Sequence, residues 1–79
     1  MRILRVKHVR DYILDVSFRN GIKKRVDLEN FLKTERNPMT TQFLDIERFK
    51  KVKISYGSTS WEDGQMDIYC DSLYNWELL

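Results

Sequence analysis

Four carboxylates near the C-terminus are the residues of this chain whose type and spacing could most directly do chemistry. They are Glu62, Asp63, Asp67 and Asp71. Hard divalent cations such as Ca²⁺ bind several carboxylate oxygens at once, so a metal site is the first hypothesis. A helix would align the aspartates, but Gly64 and the extended pattern around it argue against a helix, and the ligand order of an EF-hand is absent. We expect Asp63 in a turn and Asp71 at a helix cap instead, and we predict neither a metal ion nor a cofactor.

A single histidine and a single cysteine are the other candidates for catalysis. His8 stands at the end of a predicted strand, and nothing in the sequence nominates the hydrogen-bond partner that a general base needs. Cys70 has only carboxylates as charged sequence neighbours, which do not activate a thiolate, and one thiol cannot build a zinc cluster within the chain. We predict that Cys70 is a small buried hydrophobic residue and that the protein is not an enzyme.

Basic residues are confined to one part of the chain. Residues 2–53 contain all fourteen Lys and Arg against seven Asp and Glu, a net charge of +7, whereas residues 54–79 contain five acidic residues and no basic one, a net charge of −5. The two parts either neutralise each other or expose a surface of one sign. The surface that could follow the phosphates of a nucleic acid is a basic β-ribbon made of Arg5, Lys7, Arg19, Lys23 and Arg25. Asp15 is expected to neutralise Arg25, and no known nucleic-acid-binding motif accompanies the ribbon.

Alternating apolar residues predict the strands that would carry this ribbon. Residues 3–9 and 12–18 predict the first two strands, and residues 22–26 the third. A two-residue Asn20-Gly21 loop would place apolar and charged side chains on the same sheet face. The burial pattern therefore favours a three-residue loop that ends at Gly21, with this glycine in the left-handed conformation. The expected pairs are Phe18–Ile22, Leu14–Val26, Asp15–Arg25 and Val16–Lys24.

The rest of the chain predicts short helices and further strands. Asp27 can cap a helix that begins at Leu28, and Asp45 can cap a second one. Residues 34–41 are expected to form a loop, since the residue before a proline avoids helical angles. Two more strands and a last helical turn are predicted at residues 52–56, 59–61 and 71–74. The predicted fold is a single α+β domain over residues 1–79, with two layers, an antiparallel sheet of about five strands, short helices on one face, and the order β-β-β-α-α-β-β-α.

A spaced signature near the C-terminus carries a resemblance to a known family. Its residues are Trp61, Gly64, Asp67, Ile68, Asp71, Leu73 and Tyr74, in the pattern W-x-x-G-x-D-I-x-x-D-x-L-Y. With the apolar spacing of the earlier elements, it resembles the small bacterial family catalogued as domain of unknown function twenty-four-forty-two. The resemblance implies a compact α+β domain without an assigned activity, and domains of similar kind are suspected of pairing with a second small protein in toxin–antitoxin-like modules. The chain departs from the family pattern at Tyr69 and Cys70. At these positions the family tends to have a small capping residue and often a proline.

Two functions remain open at this point. The first is a non-catalytic interaction or regulatory module that binds a partner protein or a second copy of itself, through a sheet edge or through an apolar tail made of Trp76, Leu78 and Leu79. The alternative is an antitoxin-like or regulatory module whose basic ribbon contacts nucleic acid. The sequence contains neither a signal peptide nor a run of about 18 apolar residues, so we expect a cytoplasmic protein without membrane contact.

Overall fold

The computed structural model describes residues 2–76, and the side chains of all of these except Asp63. Within that range the elements are β1 (Ile3–Arg10), β2 (Ile13–Phe18), β3 (Lys23–Asp27), α1 (Glu29–Thr34), α2 (Pro38–Thr41), α3 (Ile46–Phe49), β4 (Lys53–Ser55), β5 (Ser58–Trp61), β6 (Met66–Ile68) and α4 (Cys70–Tyr74). Short 3₁₀ turns follow α2 at Gln42–Leu44 and β5 at Glu62–Gly64. None of the helices in this described part is both long and apolar enough to cross a membrane.

The first three strands form an antiparallel meander in the predicted register. Its pairs include Leu14–Val26, Asp15–Arg25 and Val16–Lys24. Gly21 has a φ of +89°. Its amide donates to the carbonyl of Phe18 at 3.0 Å, while the Phe18 amide donates to the carbonyl of Ile22 at 2.8 Å. The three-residue loop closed by a left-handed glycine is therefore confirmed.

A second antiparallel meander, with the order β4-β5-β6, stands where the prediction continued a single sheet. Residues 66–68 pair with β5 and add a strand that was not predicted. The α+β class is confirmed, but the single sheet of about five strands is wrong. The register of β1 shifts at two places, which breaks the regular edge that a further strand would need. Instead, β1 meets the second sheet through the Ile3 amide, which donates to the carbonyl of Gly57 at 2.8 Å.

Aspartate side chains stabilise the starts of α1 and α3. Asp45 is the N-cap of α3 as predicted, whereas the N-cap of α1 is Leu28 and not Asp27. The Asp27 carboxylate accepts a hydrogen bond from the amide of Glu29 at 2.9 Å, and α1 begins one residue later than predicted. The Asp45 carboxylate accepts from the amide of Glu47 at 3.0 Å. Both bonds satisfy an amide that a helix leaves without an internal partner.

Two helix predictions are wrong in detail. Part of the predicted loop at residues 34–41 is α2, which has Pro38 in its first turn, where a proline's missing N–H is not needed, and which is capped by the side chain of Asn37. The helix α4 begins at Cys70, so Asp71 lies inside its first turn instead of at the cap. The hydroxyl of Ser58 in β5 accepts the hydrogen bond from the Cys70 amide at 3.0 Å.

One apolar core joins both sheets and the helices. Its fully buried members include Leu14, Phe18, Val26, Leu28, Leu32, Phe43, Phe49, Trp61 and Leu73. The indole N–H of Trp61 donates to the carbonyl of Phe49 at 2.7 Å, and the two rings stack with their centroids 5.7 Å apart. Tyr74, half-buried, contacts Phe18 edge-on at 5.1 Å between ring centroids. The C-terminal signature thus places several of its apolar side chains in or against this core.

Candidate functional site

The register of the first sheet places four cationic side chains on one face. The facing pairs are Arg5–Ser17 and Lys7–Asp15 between β1 and β2, and Ser17–Lys23 and Asp15–Arg25 between β2 and β3. Because successive side chains of a strand point to opposite faces, these residues lie opposite the core residues of β2. We define the basic face as these six residues. The predicted alternation of Arg5 and Lys7 on β1 and of Lys23 and Arg25 on β3 agrees with this register, whereas a role of this face in binding stays a prediction.

The basic face is open to solvent. Its four cations are exposed, and Asp15 and Ser17 are half-buried between them. A shallow groove of about 440 Å³ runs over this face, and its lining also includes Val16 and Lys24. The described helices contribute their apolar residues to the core side of the sheet, which is the side opposite the basic face.

An ion pair occupies the centre of the basic face. Arg25 Nε donates to Asp15 Oδ1 at 2.7 Å, and Arg25 Nη2 donates to Asp15 Oδ2 at 3.1 Å. This hydrogen bonding lowers the pKa of Asp15; burial opposes the effect, and the positive charges of Arg25 and Lys7 add to it. The expected neutralisation of Arg25 by Asp15 is therefore confirmed. Arg5, Lys7 and Lys23 surround this pair as exposed cations.

Two other basic residues of this region lie away from the face. Arg19, which belongs to the predicted ribbon, is exposed in the loop after β2, outside the residues that line the groove. Lys24 is half-buried, and its Nζ donates to the carbonyl of Tyr74 at the end of α4. The same ammonium group lies 4.7 Å from the centroid of the Tyr74 ring. This partner explains how Lys24 can stand beside Val16 in the register.

The candidates for catalysis and metal binding have ordinary structural surroundings. The His8 ring contacts Phe49 edge-on, with centroids 5.8 Å apart, and its Nε2 is hydrogen-bonded to the carbonyl of Asp11 at 2.8 Å. Cys70 is half-buried, not fully buried as predicted. Among the residues with described side chains, no three His, Cys, Asp or Glu gather so that they could hold a metal ion.

The predicted apolar tail is described only at Trp76. This side chain is half-buried, donates its indole N–H to the carbonyl of Asp27 at 3.2 Å, and contacts Phe31 edge-on at 5.7 Å between ring centroids. Leu78 and Leu79 lie outside the described residues. A partner surface made of these three residues stays a prediction, and Trp76 already makes contacts within the domain.

A hollow on the outer face of the second sheet was missed by sequence reasoning. It measures about 180 Å³ and is lined by Ser55, Tyr56, Ser58, Thr59, Asp67 and Tyr69. We call it the tyrosine hollow. Tyr56 is 95% exposed and Tyr69 is 72% exposed. A signal was present in the sequence, since Tyr56-Gly57 forms a two-residue hairpin loop where Asn-Gly is the usual pair.

The comparison with protein families gives a match that covers nearly the whole chain. The protein-family profile described as "Protein of unknown function (DUF2442)" matches residues 3–78. This confirms the resemblance drawn from the sequence. No curated protein and no solved structure matches the chain significantly.

Proposed function

The chain belongs to the DUF2442 family of proteins of unknown function, and we propose that it is a non-catalytic interaction module whose basic face binds an acidic surface of a partner protein. The partner is either a different protein or the acidic part of a second copy of the chain. The observation that carries the proposal is the register of the first sheet, which gathers the exposed side chains of Arg5, Lys7 and Lys23 around a central ion pair on one face.

The composition of the basic face favours a protein partner over nucleic acid. Strong electrostatic binding to duplex DNA uses roughly 6–10 phosphate contacts, whereas this face offers three cations besides the paired Arg25. The Asp15 carboxylate at its centre repels a phosphate but can accept a hydrogen bond from a protein donor. None of the described residues that line the groove is aromatic, so bases would find no stacking partner there.

The surroundings of His8 and Cys70 support a role without catalysis. The described hydrogen bond of His8 is to a backbone carbonyl and not to a carboxylate, the partner that orients the imidazole in many catalytic sites. The Cys70 thiol lies 4.0 Å from a carboxylate oxygen of Asp71, which is not one of the basic groups that accompany a nucleophilic cysteine.

Nucleic acid is the second candidate, because exposed cations on an open ribbon can also follow phosphates. A direct comparison of two anionic probes separates the candidates. We would titrate the protein with a short capped peptide of alternating Glu and Ser, and with a single-stranded and a duplex oligonucleotide. Amide chemical shifts in an ¹H–¹⁵N spectrum report which residues respond. The proposal expects the peptide to shift the amides of β1, β2 and β3.

Charge reversal on the basic face supplies the matched test. Lys7→Glu combined with Lys23→Glu should weaken peptide binding by about tenfold or more, since like charges then face each other. The control is Arg36→Glu combined with Lys51→Glu, which changes the net charge equally at exposed positions outside the groove. Sedimentation of the protein alone shows whether a second copy is the partner. Tighter binding of an oligonucleotide, with a steep loss between about 50 and 200 mM salt, would overturn the proposal in favour of the second candidate.

A further inference from the structure

The first of two exposed tyrosines stands where the backbone favours another residue. Tyr56 opens the two-residue loop between β4 and β5 with a φ of +52°, which suits Asn, Asp or Gly and strains an aromatic residue. Its side chain is 95% exposed, so the ring gains little packing to offset the strain. The stability of the fold does not account for a tyrosine at this position.

The second tyrosine breaks a different local rule at the same place. Tyr69 is the N-cap of α4, a position that prefers Ser, Thr, Asp or Asn, and its side chain makes no capping hydrogen bond. The hydroxyl of Ser58 binds the Cys70 amide instead, at 3.0 Å. Tyr69 is 72% exposed. Violations of local preference without a gain in packing are expected at functional sites.

Both tyrosines line the tyrosine hollow together with a carboxylate. Asp67 projects from β6 into the same hollow, beside the hydroxyl-bearing residues Ser55 and Ser58. Lys53 is not part of its lining but of an adjoining hollow, which shares Tyr56 and Asp67. The faces of aromatic rings attract cations, and a carboxylate binds a guanidinium or ammonium group by charge-assisted hydrogen bonds. A volume of about 180 Å³ suits the head of one such group.

We propose that the tyrosine hollow binds an arginine or lysine side chain from an extended basic segment of a partner protein. Charge complementarity supports this occupant, since the charged residue of the described lining is the carboxylate Asp67. Phosphate groups are disfavoured by Asp67. The Tyr and Ser residues of its lining are also typical of protein-binding loops in antibodies, where rigid aromatic rings give contact area and hydroxyls adapt to the partner. No residue of this hollow belongs to the basic face, so the inference stands or fails independently of the proposed function.

A basic peptide and its neutral counterpart test the occupant. The probe is a short capped peptide of alternating Arg and Ser, and the comparison peptide has citrulline in place of each Arg. We expect the Arg peptide to shift the amides of residues 55–59 and 67–70, and the citrulline peptide to bind about tenfold more weakly. Free arginine amide is the third ligand. If it binds as tightly as the peptide, the part of the inference that invokes an extended segment is overturned.

Substitutions at the tyrosines separate binding from folding. We expect the affinity for the Arg peptide to fall by about tenfold or more in each of three variants, Tyr56→Asn, Tyr69→Ser and Asp67→Asn. Tyr56→Asn should at the same time raise the urea midpoint, because Asn relieves the strained turn. Glu35→Gln, at an exposed carboxylate between α1 and α2, is the control and should leave binding unchanged. The inference is overturned if the Arg peptide shifts the amide signals of other surfaces instead. It is also overturned if the Asp67→Asn variant binds the Arg peptide as tightly as the unchanged protein does.

Discussion

The two tryptophans of this protein show how burial decides what a single hydrogen bond contributes. The indole N–H of Trp61 donates to Phe49 in the fully buried core, whereas that of Trp76 donates to Asp27 at a half-buried site. Trp61→Phe should lower the free energy of unfolding by about 3 kcal/mol, because it leaves a buried carbonyl unpaired and opens a cavity. Trp76→Phe should cost about 1 kcal/mol or less, because water can reach the freed carbonyl. Urea denaturation measures both losses, and equal losses would contradict this account.

Residues of the first sheet could be placed from the sequence because the period of a strand is simple. Once the burial pattern selected one register, Asp15 had to face Arg25, and both are bonded in the structure. Tyr56 and Tyr69 could not be placed in this way. Large aromatic side chains are usually predicted to be buried, and their actual exposure depends on which elements pack against them in the folded protein. The contact of Lys24 with Tyr74 could not be predicted either, because the two residues lie fifty positions apart in the chain.

The hairpin between β2 and β3 depends on one backbone conformation. Gly21 has a φ of +89°, and nothing lies within 4 Å of the position that a Cβ atom would take. Gly21→Ala should therefore lower the free energy of unfolding by about 1 kcal/mol through backbone strain alone, not through a clash.

Asn tolerates the left-handed region better than Ala, so Gly21→Asn is the matched control for this prediction. Thermal or urea denaturation of the three proteins gives the comparison. A loss for Gly21→Asn as large as that for Gly21→Ala would show that the residue matters for another reason than its φ angle.

Elements that depend on local signals were predicted better than those that depend on distant ones. Asp27 and Asp45 each accept a hydrogen bond from the amide two residues on at the start of a helix, an interaction that the sequence displays directly, although Asp27 lies one residue before the N-cap of α1. Asn37-Pro38 carries two opposed signals, since proline restricts the residue before it but also suits the first turn of a helix that an asparagine caps, and in the structure the second one prevails at the start of α2. The separation into two sheets rests on the irregular register of β1 and on its contact with Gly57, which no short stretch of sequence encodes.

The charge division of the chain becomes a division of surfaces in the whole molecule. The basic face belongs to the first sheet, and the tyrosine hollow with Asp67 belongs to the second. One described ion pair between the two parts of the chain joins Arg48 and Glu62 at 4.0 Å, which is a weak contact at an exposed arginine. The Asp15–Arg25 pair lies within the basic part. The partners proposed for the two surfaces therefore differ in the sign of their charge.

Both sheets should nevertheless unfold together, because they share one core. Leu14 and Phe18 of the first sheet belong to the same buried cluster as Trp61 and Ile68 of the second. In a Trp76→Phe background, fluorescence reports Trp61 alone, while far-UV circular dichroism reports all elements. We expect the same urea midpoint from both signals, with a slope of about 1 kcal/mol/M for so small a domain. Leu14→Ala, although it lies in the first sheet, should shift both midpoints equally and cost about 2–5 kcal/mol. A fluorescence transition at lower urea than the circular dichroism transition would mean that the second sheet melts on its own.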